Sequence, residues 1–333
     1  MNAPLDDIRR LIAELPGPDR QAQAAVQARE RTLAKPPGAL GRLEELTEWL
    51  AAWQGKPSPT VDRPRVAVFV SSHGVAARGV SAREPNAAPK MMETLAIGKA
   101  AVNQICASFD IGLKVYDLAV DIPTADIASG PAMDERGCAA TIAFGMEATE
   151  GEVDLLCLGD LGVGGTTIAA AIFHALWGEA AHEWVAAGGG LDAASLARKA
   201  AVVAEAVARH CDHHGDPLEM LRRLGGRDVA AMAGAIAAAR IQRIPVLLDG
   251  IVAAAAAAIL HHIDPRSIDH CRAAHRSAEP AHEKALARLG LSPLLDLDIA
   301  LGQGTGAALA VALAKAAVAC HRGMATSAEA GLN

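Results

Sequence analysis

Four apolar runs of strand length, at residues 66–70, 113–120, 153–158 and 245–248, and a weaker fifth at 268–273, are spaced widely along the chain, and long alanine-rich stretches fill the gaps between them. Runs this apolar suit strands buried on both faces, and helical gaps supply the crossovers that a parallel sheet requires. The pattern predicts an α/β fold with a parallel sheet covered by helices. Each run gives way to a polar or glycine cluster: Ser71-Ser72-His73-Gly74, Asp121, Gly159-Asp160, Asp249-Gly250 and His275-Arg276-Ser277. Ligands of open α/β sheets sit outside the carboxyl ends of the strands, so these stretches point at one crevice.

The first sixty residues read differently, as helical segments interrupted by Pro16-Gly17-Pro18 and Lys35-Pro36-Pro37-Gly38. With the C-terminal helix they are expected to form a small helical domain (1–60 and 307–333) beside a large α/β domain (61–306), and residues 55–64, with Pro57, Pro59 and Pro64, read as the linker into the first strand. The 333 residues are 51% apolar and 21% charged, enough to bury a large core. A net charge of −7, with no Lys/Arg block longer than a pair, argues against nucleic acid and anionic membranes as partners. The 6 cysteines are dispersed without a C-x-x-C pair and read as reduced thiols. The N-terminal segment carries charges throughout and the longest apolar run is too short to cross a bilayer, so a cytoplasmic location is expected.

Three glycine-rich segments carry the chemistry. In Leu301-Gly302-Gln303-Gly304-Thr305-Gly306, alternate glycines bare the backbone around one amide and open into an alanine-rich helix, which makes Gln303 a ligand contact. Gly159-Asp160-Leu161-Gly162-Val163-Gly164-Gly165-Thr166-Thr167 joins a strand to a helix in the geometry that holds a phosphate on backbone donors. It lacks the Lys-Ser/Thr ending of a P-loop. Gly188-Gly189-Gly190 precedes Lys199, a cation able to pair with a phosphate. A hydrolase elbow G-x-S-x-G is absent, as is G-x-G-x-x-G in the first βα turn. The stretch His210-Cys211-Asp212-His213-His214 reads as a polar helix end, and neither a metal nor a cofactor is expected.

In this order the pieces resemble the nicotinate-nucleotide:dimethylbenzimidazole phosphoribosyltransferase family. The carriers are the segment from Leu33 to Glu44, His73-Gly74-Val75, Gly159 to Thr167, Ala231 to Ala235, Leu248-Asp249-Gly250, His275 to Pro280 and Leu301 to Gly306. The resemblance implies a Rossmann-like large domain, a small helical domain from both chain ends and a homodimer. It also implies metal-independent transfer of ribose 5-phosphate from nicotinate mononucleotide to 5,6-dimethylbenzimidazole or a related aromatic base. Carried over residue by residue, it places substrate on Ser81, Lys90, Gly162, Gly164, Gly165, Thr166, Gly189, Gly190, Lys199, Asp249, Ser277, Gly302 and Gly304.

The departures gather at the expected site. Gln303 stands where the family carries the Glu of its general base, and Asp160 stands where it has Glu. Gly165 replaces an Asn, Ser71-Ser72 replaces Gly-Asn, and the base-pocket stretch has become Ser81 to Lys90 without its aromatic residue. An amide cannot take up a proton at neutral pH, which makes Asp160 the alternative base. Two competing readings follow from these departures: a catalytically impaired paralogue that binds nucleotide or base as a regulatory or heteromeric subunit, and a hydrolase that releases nicotinate with water.

Overall fold

Strands β1 (Pro64–Ser72), β2 (Gly112–Asp117), β3 (Leu155–Val163), β4 (Val246–Leu248) and β5 (Cys271–Ala273) pair in parallel in the order β2-β1-β3-β4-β5 in the computed structural model, which describes residues 4–187 and 190–332. This is a doubly wound order with its switch point between β1 and β3, where the crevice of such sheets opens. A two-stranded parallel pair, β6 (His275–Arg276) and β7 (Leu295–Asp296), continues from the end of β5.

Side-chain alternation divides the core into two layers. Ala67 and Phe69 of β1 and Leu156 and Leu158 of β3 face one apolar cluster, while Val66, Val68, Val70, Leu155, Cys157 and Leu161 face the other. The first face is covered by α6 (Glu135–Gly145), α7 (Gly165–Trp177), α8 (Ala193–Arg209), α9 (Pro217–Leu224), α10 (Arg227–Ile241), α11 (Gly250–Ile263) and α12 (Pro280–Arg288). The second is covered by α3 (Arg42–Gln54), α4 (Ala88–Ala96), α5 (Ala101–Ser108) and α13 (Thr305–Gly323). Burying each large side chain, such as Phe69 or Leu158, contributes roughly 1.5–3 kcal/mol. Helices α6 and α10 meet backbone to backbone, since a Cβ on Gly145 or Gly234 would lie 1.9 Å from a carbonyl oxygen of the facing helix.

The helices at the two chain ends lie against both faces. Leu5 and Ile12 of α1 (Pro4–Ala13) join the first layer, whereas α3 and α13 pack in the second, with α2 (Arg20–Glu30) against α3. A boundary after residue 306 would cut α13 from its own first turn. The proline-rich linker is pinned as well: the Asp154 carboxylate accepts from Thr60 Oγ1 and from the N–H groups of Asp62 and Arg63.

Strand limits differ from the apolar runs for local reasons. β2 ends at Asp117 because its carboxylate accepts the Val120 N–H at 2.9 Å and Ala119 turns left-handed (φ 56°). β5 is short because residues 265–268 form a 3₁₀ turn capped by Asp264. β3 runs on through Gly159, Asp160 and Gly162, which the sequence pattern places in a loop, and Gly159 serves there as a crossing point: a Cβ on it would lie 2.1 Å from the Gly304 nitrogen.

Candidate active site

A cleft open to solvent lies at the carboxyl ends of β3 and β4. One wall is the loop before α13. Gly302 (φ 73°), Gln303 (φ 64°) and Gly304 (φ 79°) are three consecutive left-handed residues, a conformation that for Gln303 costs roughly 1–3 kcal/mol. Hydrogen bonds hold it in place. Gln303 N–H donates to the Asp160 carbonyl at 3.0 Å, and the two Asp249 oxygens accept from Gly304 N–H and Ala307 N–H, both at 2.9 Å. Asp249 is fully buried and pairs with His275 at 3.3 Å. Burial works against the charged form of His275, but the hydrogen bond and charge of Asp249 outweigh it and raise the imidazole above its ordinary value. Gly306 makes room for that ring, since a Cβ there would lie 2.2 Å from it. Gln303 is 8% exposed and its Oε1 is buried without a partner among the described residues.

The opposite wall is the start of α7. Gly164 (φ 95°) turns the chain into the helix, whose first N–H groups have no acceptor inside it. Lys199, 2% exposed, reaches over from α8 and donates to Thr166 Oγ1 at 2.7 Å and to the Ala186 carbonyl at 3.3 Å. Burial lowers its pKa while Glu279 acts to raise it. Beneath this wall lies a buried trio: His73 Nε2 contacts Asp228 Oδ2 at 3.1 Å and Ser71 Oγ at 3.3 Å. Burial opposes ionisation of Asp228, yet the field and hydrogen bond of His73 keep its carboxyl below the usual range.

Asp160 stands between the two walls. A methyl group on Gly302 would lie 3.6 Å from one of its carboxyl oxygens, and one on Gly165 would lie 3.5 Å from the other. Burial, followed by the negative fields of Asp228, Asp249 and Glu279, holds its pKa well above the ordinary carboxyl value.

Ser277 and Glu279 close the third side. Ser277 N–H donates to His282 Nδ1 at 3.1 Å, and burial, then the field of His275, pushes His282 down to about 4, which keeps that nitrogen an acceptor. At the outer end, Ser81, Ala82, Arg83 and Met91 line the cleft. Ser81 Oγ accepts the Arg83 N–H at 3.1 Å, and the Arg83 guanidinium lies 3.8 Å from the Met91 sulfur.

The cleft brings together Ser81, Asp160, Gly162, Gly164, Gly165, Thr166, Lys199, Ser277, Gly302 and Gln303. Asp249 and Gly304 lie one layer deeper: Asp249 is a support for the loop instead of a substrate contact, because its oxygens are taken by backbone donors and His275. Lys90 is exposed on α4 and does not line the cleft, and Gly190 is an exposed turn residue bonded to Ala187. Gly189 lies outside the described residues. Sequence reasoning missed Glu279 and Asp228. The first carried a signal, a carboxylate between a strand-end Ser and a helix-starting Pro; the second carried none. His210 Nε2 contacts the Ile127 carbonyl at 3.0 Å in the core, and the described residues contain no group of three or more His, Cys, Asp or Glu able to hold a metal.

Residues 15–332 match the model of a family described as phosphoribosyltransferase. The nicotinate-nucleotide–dimethylbenzimidazole phosphoribosyltransferase of Methylocella silvestris is 60% identical over 98% of this chain and 96% of its own length. That of Rhizobium etli is 57% identical over 99% and 97%. The crystal structure of CobT from Thermus thermophilus superposes with a TM-score of 0.87 at 39% identity, covering 94% of this chain and 99% of that one.

Proposed function

The chain belongs to the nicotinate-nucleotide–dimethylbenzimidazole phosphoribosyltransferase family, and from this we infer its reaction and the division of labour in its cleft. The protein transfers the 5-phosphoribosyl group of nicotinate mononucleotide to 5,6-dimethylbenzimidazole, giving the α-riboside phosphate and nicotinate. The 5-phosphate sits at the start of α7 on Gly164, Gly165, Thr166 and Lys199, where helix dipole, free N–H groups and a buried ammonium coincide. The azole lies between Ser81 and the Gln303 loop. One observation carries this reading: Gln303 Oε1 is a buried acceptor with no partner among the described residues, on a loop held rigid from below, facing the same cleft as Lys199. It suits the one N–H that an azole offers. Asp160, between the walls, meets the ribose that spans them. Fixing both reactants in line accounts for much of the rate.

The protein works as a homodimer in the cytoplasm in this reading. Exposed Ile97, Leu297 and Leu301 on segments bordering the cleft supply apolar surface for a second copy, and the free cysteines accord with a reducing compartment. Light scattering on the purified protein reads the oligomeric state directly.

Chromatography of purified protein incubated with nicotinate mononucleotide and 5,6-dimethylbenzimidazole tests the chemistry. Riboside phosphate is expected from the unmodified chain, and more of it from Gln303→Glu. No product from either would overturn the transferase reading.

A further inference from the structure

The transferase reaction proposed above leaves one proton without a carrier. As the unprotonated azole nitrogen forms its bond to C1 of the ribose, the C1–nitrogen bond to nicotinate breaks and its electron pair neutralises the departing pyridinium. The second azole nitrogen then holds an N–H that must be released, and the amide of Gln303 can accept a hydrogen bond from it but not the proton.

We propose that Glu279 receives this proton and is a further catalytic residue of the cleft. Its segment runs alongside that of Gln303: β6 pairs with β7, and Ala278 N–H donates to the Ile299 carbonyl at 3.3 Å, four residues before Gln303. Both side chains line the same cavity. The Glu279 N–H is turned toward Ser277 Oγ at 3.4 Å, and although Glu279 stands at the cap position of α12 its carboxylate makes no capping bond. No ion pair within 4 Å engages it among the described residues. The carboxylate is free to move toward a substrate.

The groups facing it divide the work between two acids. Lys199 faces it from α8 and Asp160 from β3, while His275 and His282 lie behind Ser277. Burial raises the Glu279 pKa and Lys199 pulls it back, while burial and the fields of Asp228, Asp249 and Glu279 raise that of Asp160. A carboxyl raised above its ordinary value is shifted toward neutrality, where a general base is most effective. From Glu279 the proton passes to solvent at the open cleft mouth.

The test is the pH dependence of kcat for the unmodified protein, Glu279→Gln, Glu279→Asp and Asp160→Asn, with nicotinate mononucleotide affinity measured by calorimetry for each. In the unmodified protein kcat rises with pH as Glu279 ionises. Glu279→Gln is expected to lower kcat by about 10²–10⁴-fold and to abolish that rise, with nucleotide affinity retained. Glu279→Asp keeps a rising limb at reduced kcat, which separates loss of the base from loss of the fold. Asp160→Asn keeps the limb. A limb that survives in Glu279→Gln, or one that disappears in Asp160→Asn instead, overturns the proposal, as does a Glu279→Gln defect confined to nucleotide affinity. If the unmodified chain forms no product at any pH, the transferase reading itself fails and takes this role with it.

Discussion

At the α7 end of the cleft the polar groups are anchored from several directions. Lys199 is buried and tied to Thr166, and Asp228 with His73 lies underneath. At the other end, residues 82–86 are exposed, and Arg83 rests on little more than its neighbour's hydroxyl and a thioether. On the placement of substrates proposed above, the difference follows from what each end must recognise. A phosphate is the same in every turnover, so its site gains from prepaid order. An aromatic base presents mainly a flat apolar body, and a loosely held wall can settle on bases of different outline.

The sharpest way to break this contrast is to loosen the rigid side. Asp249→Ala removes the acceptor of two loop N–H groups and leaves His275 buried without its counter-charge, so a loss of about 3–5 kcal/mol is expected in urea unfolding. An unchanged unfolding midpoint would mean that the loop does not depend on its underside. Lys199→Met should weaken nicotinate mononucleotide binding by about 10–100-fold with little effect on the KM of the azole. If both substrates suffer equally, the two ends are not independent.

The buried His275–Asp249 pair adds a smaller, pH-linked effect. The folded pKa of His275 is raised, so its contribution is complete below the unfolded value of about 6.5 and fades as pH climbs through the folded one. Thermal stability should decline across that window, and the decline should vanish in His275→Gln. Smallest of all, Arg83→Ala is expected to alter azole KM by less than about tenfold, since an exposed cation contributes about 1 kcal/mol or less. Its sign should depend on the base offered. A uniform change across several bases would show that this wall does not read them.

The sheet was legible because its central strands are covered on both faces and so appear as unbroken apolar runs. The turn into α7 was legible because Gly164 and Gly165 adjoin Thr166 in sequence, whereas Lys199 reaches Thr166 from α8. The continuation of β3 through Gly159 and Gly162 was not, because Gly159 answers to a remote backbone at Gly304 and Gly162 to the Ser71 carbonyl of β1, and neither to a local turn. The sequence reading makes Asp249 a substrate contact, whereas its oxygens engage the Gly304 and Ala307 N–H groups and His275, a distinction that depends on which donors fold over a strand end. Asp228 reaches this region only through tertiary packing, because α10 brings it against His73 from far along the chain.

One more consequence concerns synthesis. The second face of the sheet, with Val66, Val68, Val70 and Cys157, is closed in part by α13, from residues 305–323. While the ribosome is still making the intervening chain, that cover does not exist, and an apolar sheet surface waits uncovered in a state prone to misassociation. The Gln303 loop is drawn from the same late stretch. A nascent chain therefore gains this cover and the Gln303 loop together, as residues 302–323 fold onto the sheet, and release from a holding chaperone and onset of activity should coincide.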